Sequence, residues 1–294
     1  MNPRAAKRWV AGEPTVEAPA TPVALDAAAA PVAVRLARAV AASLVHRVAR
    51  GEGALLAIDL SILAVAALPA GVTLALAAVC VLALTAMYAV NDLCDARDDR
   101  RNPKKDQEVV ATYLEHRAAA LTACIALHLG TILLAASFDA RAAFAAGSVM
   151  LANLVYSLRF KGVPVVDVAW CGLWGTLYAA IVTADAQLLV TVGAMTAICH
   201  LYQTLDDVGS DAASGITTTA VQSRALSIAV LAAACAALVL ALRGPLGDFW
   251  ALAAAAPPLA FLLCGVRPLT GWLLTKGLFA AVWLVLLRLA DAAG

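Results

Sequence analysis

The sequence predicts an all-α integral membrane protein, on the basis of its composition and its repeated apolar runs. Of the 294 residues, 63% are hydrophobic and 14% are charged, and the mean hydropathy is +0.86. A soluble domain usually carries about a quarter charged residues. The formal net charge of +1 provides no broad basic surface. We therefore expect membrane lipid, and no nucleic acid, among the partners of this protein.

The first 53 residues differ from the rest of the chain. Residues 1–31 are rich in Pro, Ala and Glu without periodicity, which is typical of a disordered tail. Residues 32–53 place basic side chains such as Arg35, Arg38 and Arg47 among Ala, Val and Leu. This segment is interpreted either as a basic amphipathic helix lying on the membrane surface or as the start of the first membrane span.

Residues 54–294 form the predicted transmembrane domain, whose apolar runs of roughly 17–24 residues can each cross a bilayer. The predicted spans number about nine: 54–70, 71–94, 117–137, 140–160, 164–184, 187–206, 223–242, 248–266 and 270–290. With the N-terminus inside, 18 of the 21 Lys and Arg residues lie on the cytoplasmic side, and only Arg141, Arg243 and Arg288 lie opposite. We therefore expect a multi-pass membrane protein with a cytoplasmic N-terminus.

Acidic residues are concentrated in two clusters at the predicted cytoplasmic ends of spans 2 and 6. The first cluster places Asn91, Asp95 and Asp99 at i, i+4 and i+8, which puts them on one face of a helix. The second cluster repeats this spacing with Gln203, Asp207 and Asp211. Both clusters face the same side of the membrane, so the two stripes of oxygen ligands can face each other.

This arrangement of acidic residues predicts a magnesium site for a diphosphate. Ionised carboxylates in one stripe repel each other, so a cation is needed between them. Oxygen-only ligands favour a hard cation such as Mg²⁺, which shares its coordination shell with substrate phosphates. Basic residues follow the first cluster and end span 4; they are Arg100, Arg101, Lys104, Lys105, Arg159 and Lys161. The predicted substrate is an isoprenoid diphosphate, which ionises when its leaving group is neutralised.

Three stretches of the chain resemble the UbiA superfamily of intramembrane prenyltransferases. Asn91–Asp99 fits the superfamily's Asn-Asp-x-x-Asp-x-x-x-Asp signature. Tyr202–Val221 is similar to its second aspartate motif and the Gly-Ile-x-Thr segment that follows. Tyr156–Lys161, with Pro164 and Asp167 after it, is similar to the connection between helices 4 and 5. The resemblance covers roughly residues 54–290.

The resemblance implies a fold and a set of roles for particular residues. The fold would be nine helices around a central cavity with a cap on the cytoplasmic side. The metal ligands would be Asn91, Asp95, Asp99, Asp207 and Asp211. The diphosphate would be bound by Lys161, Arg159 and Lys104. Asp92 lies beside the first stripe and is also an expected substrate-binding residue, which would orient a ligand or pair with a nearby Arg.

Aromatic residues near the two motifs are candidates for stabilising a carbocation, because a π face attracts a cation. Tyr156 and Tyr202 lie close to the two clusters in the sequence and are the predicted catalytic aromatic residues. His200, three residues before Gln203, is a further candidate for a proton-transfer or acceptor-binding role.

The acceptor is left open by the loop after the first motif. Family members that prenylate aromatic rings carry an Arg-Pro pair and a Gly there, whereas this chain reads Arg101-Asn102-Pro103-Lys104-Lys105. This loop resembles more closely that of the lycopene elongases, which extend carotenoids. Prenyl transfer to an apolar acceptor is the preferred hypothesis. A terpene cyclase on the same fold and an ion-coupled transporter are the alternatives, but transporter sites typically lie at the bilayer midplane.

Overall fold

The structure is a computed structural model that describes residues 30–100, 102 and 105–293, the last four by their backbone alone. Lys104 and residues 1–29 of the predicted tail lie outside the described residues. The regular structure of the described ranges is helical throughout. The helices are α1 Val32–Ala49, α2 Ala54–Val65, α3 Ala70–Asp99, α4 Gln107–Glu115, α5 Arg117–Ala136, α6 Ala140–Val155, α7 Val166–Ala179, α8 Ala186–Asp206, α9 Val208–Ala213, α10 Thr219–Gln222, α11 Arg224–Leu246, α12 Asp248–Leu263 and α13 Pro268–Ala293, with a π-helical turn, Tyr156–Phe160, continuing α6.

Six of these helices are long enough and apolar enough to cross a membrane: Ala70–Asp99, Arg117–Ala136, Ala140–Phe160, Ala186–Asp206, Arg224–Leu246 and Pro268–Leu289. The chain is therefore a multi-pass membrane protein with an all-α fold, as predicted. At the other three predicted spans lie the shorter helices α2, α7 and α12, of 12, 14 and 16 residues. A helix of 16 residues is about 24 Å long, less than the roughly 30 Å of the hydrocarbon core. The count of nine spans stays a prediction.

Helix α1 is separate from the first predicted span. It ends at Ala49, and Gly51 follows with a φ of 79°, a left-handed conformation that glycine adopts without strain. Leu36, Ala39 and Ser43 lie one turn or less apart and are buried against α3 and α4. Of the two interpretations of residues 32–53, the structure therefore favours an independent helix. Its contact with a membrane surface stays a prediction.

Helices α7 and α8 approach each other closely because glycines lie at their contact. A Cβ atom at Gly175 would lie 2.2 Å from the Oγ1 of Thr196, and one at Gly193 would lie 2.2 Å from the Oγ1 of Thr176. Small residues at helix contacts permit this approach in membrane proteins. The contact fixes α8, which leads into the second acidic cluster, against the helix that follows Lys161.

Candidate active site

Both acidic clusters line one cavity of about 1140 Å³ inside the helix bundle. From α3 the lining includes Asn91, Asp92, Asp95 and Asp99, and from α8 and α9 it includes Gln203, Asp207 and Asp211. The predicted stripes therefore do share one space. Much of the remaining wall is aromatic, formed by Tyr88, Tyr156, Trp174, Trp272, Phe279 and Trp283. The cavity is thus lined both by the charged groups at the ends of α3 and α8 and by apolar, aromatic side chains.

Lysine side chains neutralise the buried carboxylates of the first cluster. The Nζ of Lys161 lies 2.5 Å from the Oδ2 of Asp95, whose side chain is 7% exposed. The Nζ of Lys105 lies 2.9 Å from the Oδ2 of Asp99 and 3.8 Å from the Oδ1 of Asp92. Such charge-assisted contacts are the strong class of hydrogen bond. The site therefore holds its acidic and basic groups as mutual partners.

A π-helical turn places Lys161 at the cavity. Within this turn the N–H of Lys161 donates to the carbonyl of Tyr156, five residues earlier, over 2.8 Å. Single π-helical turns frequently occur at functional sites, since the extra residue re-aims the side chains that follow. Burial lowers the pKa of Lys161, but the charges of Asp95, Asp99 and Asp211 outweigh burial, and the pKa is raised overall. Lys161 is therefore a cation at neutral pH.

The second cluster spans the junction between α8 and α9. Asp207 terminates α8, and the N–H of Asp211 donates to the carbonyl of Asp207 over 2.9 Å, so the helical stripe continues across the junction. Burial, and next the negative charge of Asp207, raise the pKa of Asp211 to about 6. A cation near Asp211 would relieve both effects.

Asp167 ties the start of α7 to the segment that follows the second cluster. Its buried carboxylate accepts from the N–H of Thr219 over 2.8 Å and also from the Thr219 hydroxyl. The Oγ1 of Thr219 in turn accepts from the N–H of Val165 over 2.7 Å. Val165 has a φ of 70°, which is rare for a β-branched residue. These hydrogen bonds hold the connection that leads into α7 and the connection that leads into α10 in a fixed position relative to each other.

The donor chemistry of the clusters fits Mg²⁺. Among the residues that the structure describes, no three acidic, histidine or cysteine side chains lie close enough together to hold a metal ion by themselves. Mg²⁺ does not need such a cage, because it typically takes one or two carboxylates and completes its shell with water and substrate phosphates. Each stripe offers two carboxylates and an amide to the cavity, and Asp92 lies beside the first stripe; this is that kind of donor set.

A model of the family described as "UbiA prenyltransferase family" matches residues 54–272, more than half of the chain. The chain belongs to this family. The match confirms the resemblance carried by the two aspartate motifs. It begins after α1, so this helix lies outside the matched residues. A search of curated proteins found no match.

Solved structures of a UbiA homolog from Archaeoglobus fulgidus have the same fold. One, bound to DMAPP and Mg²⁺, has a TM-score of 0.54 and 19% identity and covers 88% of this chain and 99% of its own. A second, bound to Cd²⁺, has a TM-score of 0.52, and a third, bound to GPP and Mg²⁺, has 0.50. Both are 17% identical and cover 88% of this chain and 100% of their own.

Of the predicted aromatic and basic residues of this UbiA-family protein, some line the cavity and others lie outside it. Tyr156 lines the cavity, and its hydroxyl lies 3.3 Å from the Nε2 of His200, which also lines it. Tyr202 is fully buried outside the cavity lining; its hydroxyl donates to the carbonyl of Pro258. Arg159 is exposed and also lies outside the lining. The structure therefore does not bring Tyr202 or Arg159 to the site.

Some charged residues at the site were given no individual role from the sequence, among them Lys105, which was expected only as one of the basic residues near the first cluster. Lys105 pairs with Asp99, whereas the predicted Lys104 lies outside the described residues. Arg47 of α1 pairs with Asp92 over 2.5 Å, and Glu52 pairs with Arg47 over 3.1 Å. The sequence signals for these residues were the second Lys of the pair after the first motif and the basic segment 32–53. Neither signal indicates which acidic residue is the partner.

Proposed function

We propose that the protein is a magnesium-dependent membrane prenyltransferase that ionises an isoprenoid diphosphate and transfers its prenyl group to an apolar acceptor. The observation that carries this proposal is the cavity itself. Two carboxylate stripes and two lysines line it together with several aromatic residues. An anionic head group with a long apolar tail matches this combination of charged and aromatic lining.

The charged part of the lining is suited to the diphosphate. Asn91, Asp95 and Asp99 on one side and Asp207 and Asp211 on the other would hold Mg²⁺. Bound Mg²⁺ would neutralise the diphosphate as a leaving group. Lys161 and Lys105 would bind phosphate oxygens as compact cations. The Archaeoglobus fulgidus homolog, whose structures hold DMAPP or GPP with Mg²⁺, supports this ligand class.

The aromatic part of the lining is suited to the prenyl chain and its acceptor. Tyr156 and Trp174 are among the lining residues, and aromatic faces stabilise a nearby cation by about 0.5–2 kcal/mol. A cavity of about 1140 Å³ exceeds the roughly 300–1000 Å³ of a site for one small molecule. This volume favours two apolar molecules in the cavity, and hence transfer rather than cyclisation.

The orientation in the membrane is also part of the proposal. The excess of Lys and Arg on one side of the predicted topology supports a cytoplasmic N-terminus. The charged part of the lining, which lies at the ends of α3 and α8, would then face the cytoplasmic supply of diphosphates.

The test is an incubation of the purified protein with Mg²⁺ and geranyl, farnesyl or geranylgeranyl diphosphate, with and without quinone precursors or carotenoids. We expect a prenylated acceptor and stoichiometric release of diphosphate. Asp207→Ala should abolish both, whereas Asp98→Ala, an exposed residue of the first motif outside the cavity lining, should not. A cyclic terpene formed without an acceptor would show that the protein is a cyclase and not a transferase. Full activity of Asp207→Ala would refute the two-cluster site.

A further inference from the structure

Helix α1 contributes side chains to the cavity although it precedes the residues that match the family model. Its last turns, followed by Gly51 and Glu52, form part of the cavity lining. Within this part, Arg47 reaches the first acidic cluster. One guanidinium nitrogen lies 2.5 Å from the Oδ1 of Asp92, and the other lies 3.1 Å from the Oε2 of Glu52. The guanidinium carbon lies 4.6 Å from the centre of the Tyr88 ring.

These contacts form a largely buried ionic group. The side chains of Arg47 and Asp92 are each 15% exposed, and that of Glu52 is 7% exposed. A buried pair that loses one member leaves an uncompensated charge, which is far more costly than removing both members. Arg47 is therefore the main partner that satisfies the charge of Asp92.

Asp92 has a second cation within reach, and that cation serves the predicted metal site. The Nζ of Lys105 lies 2.9 Å from Asp99 and 3.8 Å from Asp92. The strong contact of Arg47 occupies the Oδ1 of Asp92, which is also the atom nearest to Lys105. Without Arg47, Asp92 would become the stronger attraction for Lys105.

We propose that Arg47 is a positioning residue that holds Asp92 and so keeps Lys105 on Asp99. The inference rests on the proposed function, since it concerns the metal and diphosphate site. Arg47 acts through Asp92: it compensates an acidic side chain of the cavity lining that lies off the Asn91–Asp95–Asp99 stripe. Helix α1 thereby contributes to the arrangement of charges in the site.

Other contacts attach α1 to the bundle, so its docking does not depend on Arg47. Ser43 and Tyr113 share a hydrogen bond of 3.1 Å, and Arg35 pairs with Glu115 over 2.6 Å. Leu36 and Ala39 are buried in the same contact. A substitution of Arg47 is therefore expected to change the charges of the cluster while α1 stays in place.

The test is the affinity of the purified protein for Mn²⁺, a spectroscopic substitute for Mg²⁺, measured by electron paramagnetic resonance without substrate. Arg47→Gln should bind Mn²⁺ about 10-fold more tightly, because Lys105 moves toward Asp92 and leaves Asp99 to the metal. A loss of packing alone would not tighten metal binding. Arg38→Gln, an exposed arginine of the same helix, is the matched control and should bind as the unmodified protein does.

A second pair of variants tests the route through Asp92. Arg47→Gln in an Asp92→Asn background should change the affinity by less than about threefold, because the carboxylate through which Arg47 acts on Lys105 is absent. This comparison also serves where Arg47→Gln alone does not fold. A tenfold change in that background, or equal affinities of Arg47→Gln and Arg38→Gln, would overturn the inference. If the unmodified protein binds no Mn²⁺ even when inorganic diphosphate is added, the proposed function fails, and this inference fails with it.

Discussion

Replacing Lys161 by Met should affect metal binding and turnover in opposite directions. The Nζ of Lys161 lies 2.5 Å from Asp95, whose side chain is 7% exposed. A hydrogen bond to a charged group is worth about 1.5–3 kcal/mol. Lys161 therefore competes with a metal for Asp95, and its removal should tighten Mn²⁺ binding to the substrate-free protein by about 10- to 100-fold.

The same substitution removes a cation from the proposed diphosphate site. The loss of one group that stabilises developing charge typically costs about 10²–10³ in turnover. We therefore expect diphosphate release by Lys161→Met to fall by roughly this factor, although the metal binds more tightly. A variant that was merely misfolded would lose both properties, so the opposite signs identify the role of Lys161.

The assay combines Mn²⁺ titration by electron paramagnetic resonance with measurement of diphosphate release. Arg159→Gln is the matched control, because this arginine is two residues away but exposed and outside the cavity lining. It should leave both quantities close to those of the unmodified protein. Unchanged or weaker Mn²⁺ binding by Lys161→Met would refute the competition between lysine and metal. A large loss of activity in Arg159→Gln would instead support the sequence prediction that Arg159 binds the diphosphate.

Three further predictions concern pH, stability and the aromatic wall. Burial and a neighbouring carboxylate raise the pKa of Asp211 to about 6, so a proton competes with the metal for this side chain below that pH. The affinity for Mn²⁺ should therefore fall between pH 7 and pH 5. A constant affinity over this range would contradict the prediction. Asp167→Asn should lower the free energy of unfolding by about 2–4 kcal/mol, because a buried acceptor of charge-assisted hydrogen bonds is lost. Thermal unfolding measures this change. The control is Asp185→Asn, at a helix N-cap where Asn serves as well as Asp. Tyr156→Leu should lower turnover by about 5- to 30-fold through loss of the π face, whereas Tyr156→Phe should retain most of it; equal losses would assign the effect to the hydroxyl.

The parts of the site that depend on local helical geometry could be predicted from the sequence. The spacing of Asn91, Asp95 and Asp99 places them on one helical face whatever the surroundings, and all three line the cavity. The same geometry explains why Tyr202 lies elsewhere. Successive residues of a helix are rotated by about 100°, so Tyr202 is turned away from the face that carries Gln203 and Asp207.

The ion pairs of the site could not be predicted, because they join residues distant in the sequence. Arg47 and Asp92 are 45 residues apart, and Lys161 and Asp95 are 66 apart. Which cation meets which carboxylate depends on how α1, α3 and the π-helical turn pack, and hydrophobic periodicity carries no information on this. The lengths of α2, α7 and α12 were also beyond the sequence, since an apolar run does not show where the helix within it ends.

The ion pairs distinguish two kinds of cation in the site. Lys161 and Lys105 each lie within 3 Å of one carboxylate, whereas Arg47 pairs with two carboxylates, at 2.5 and 3.1 Å, and also packs on Tyr88. A buried carboxylate without a cation is costly, so the lysines stabilise the clusters in the absence of metal. When carboxylates take up metal, the displaced lysines need new anions, and phosphate oxygens would supply them. Metal without diphosphate would leave the lysines unpaired, and diphosphate without metal would face the carboxylates. Each ligand therefore favours binding of the other, while Arg47, with two partners, stays in place and keeps Asp92 out of the exchange.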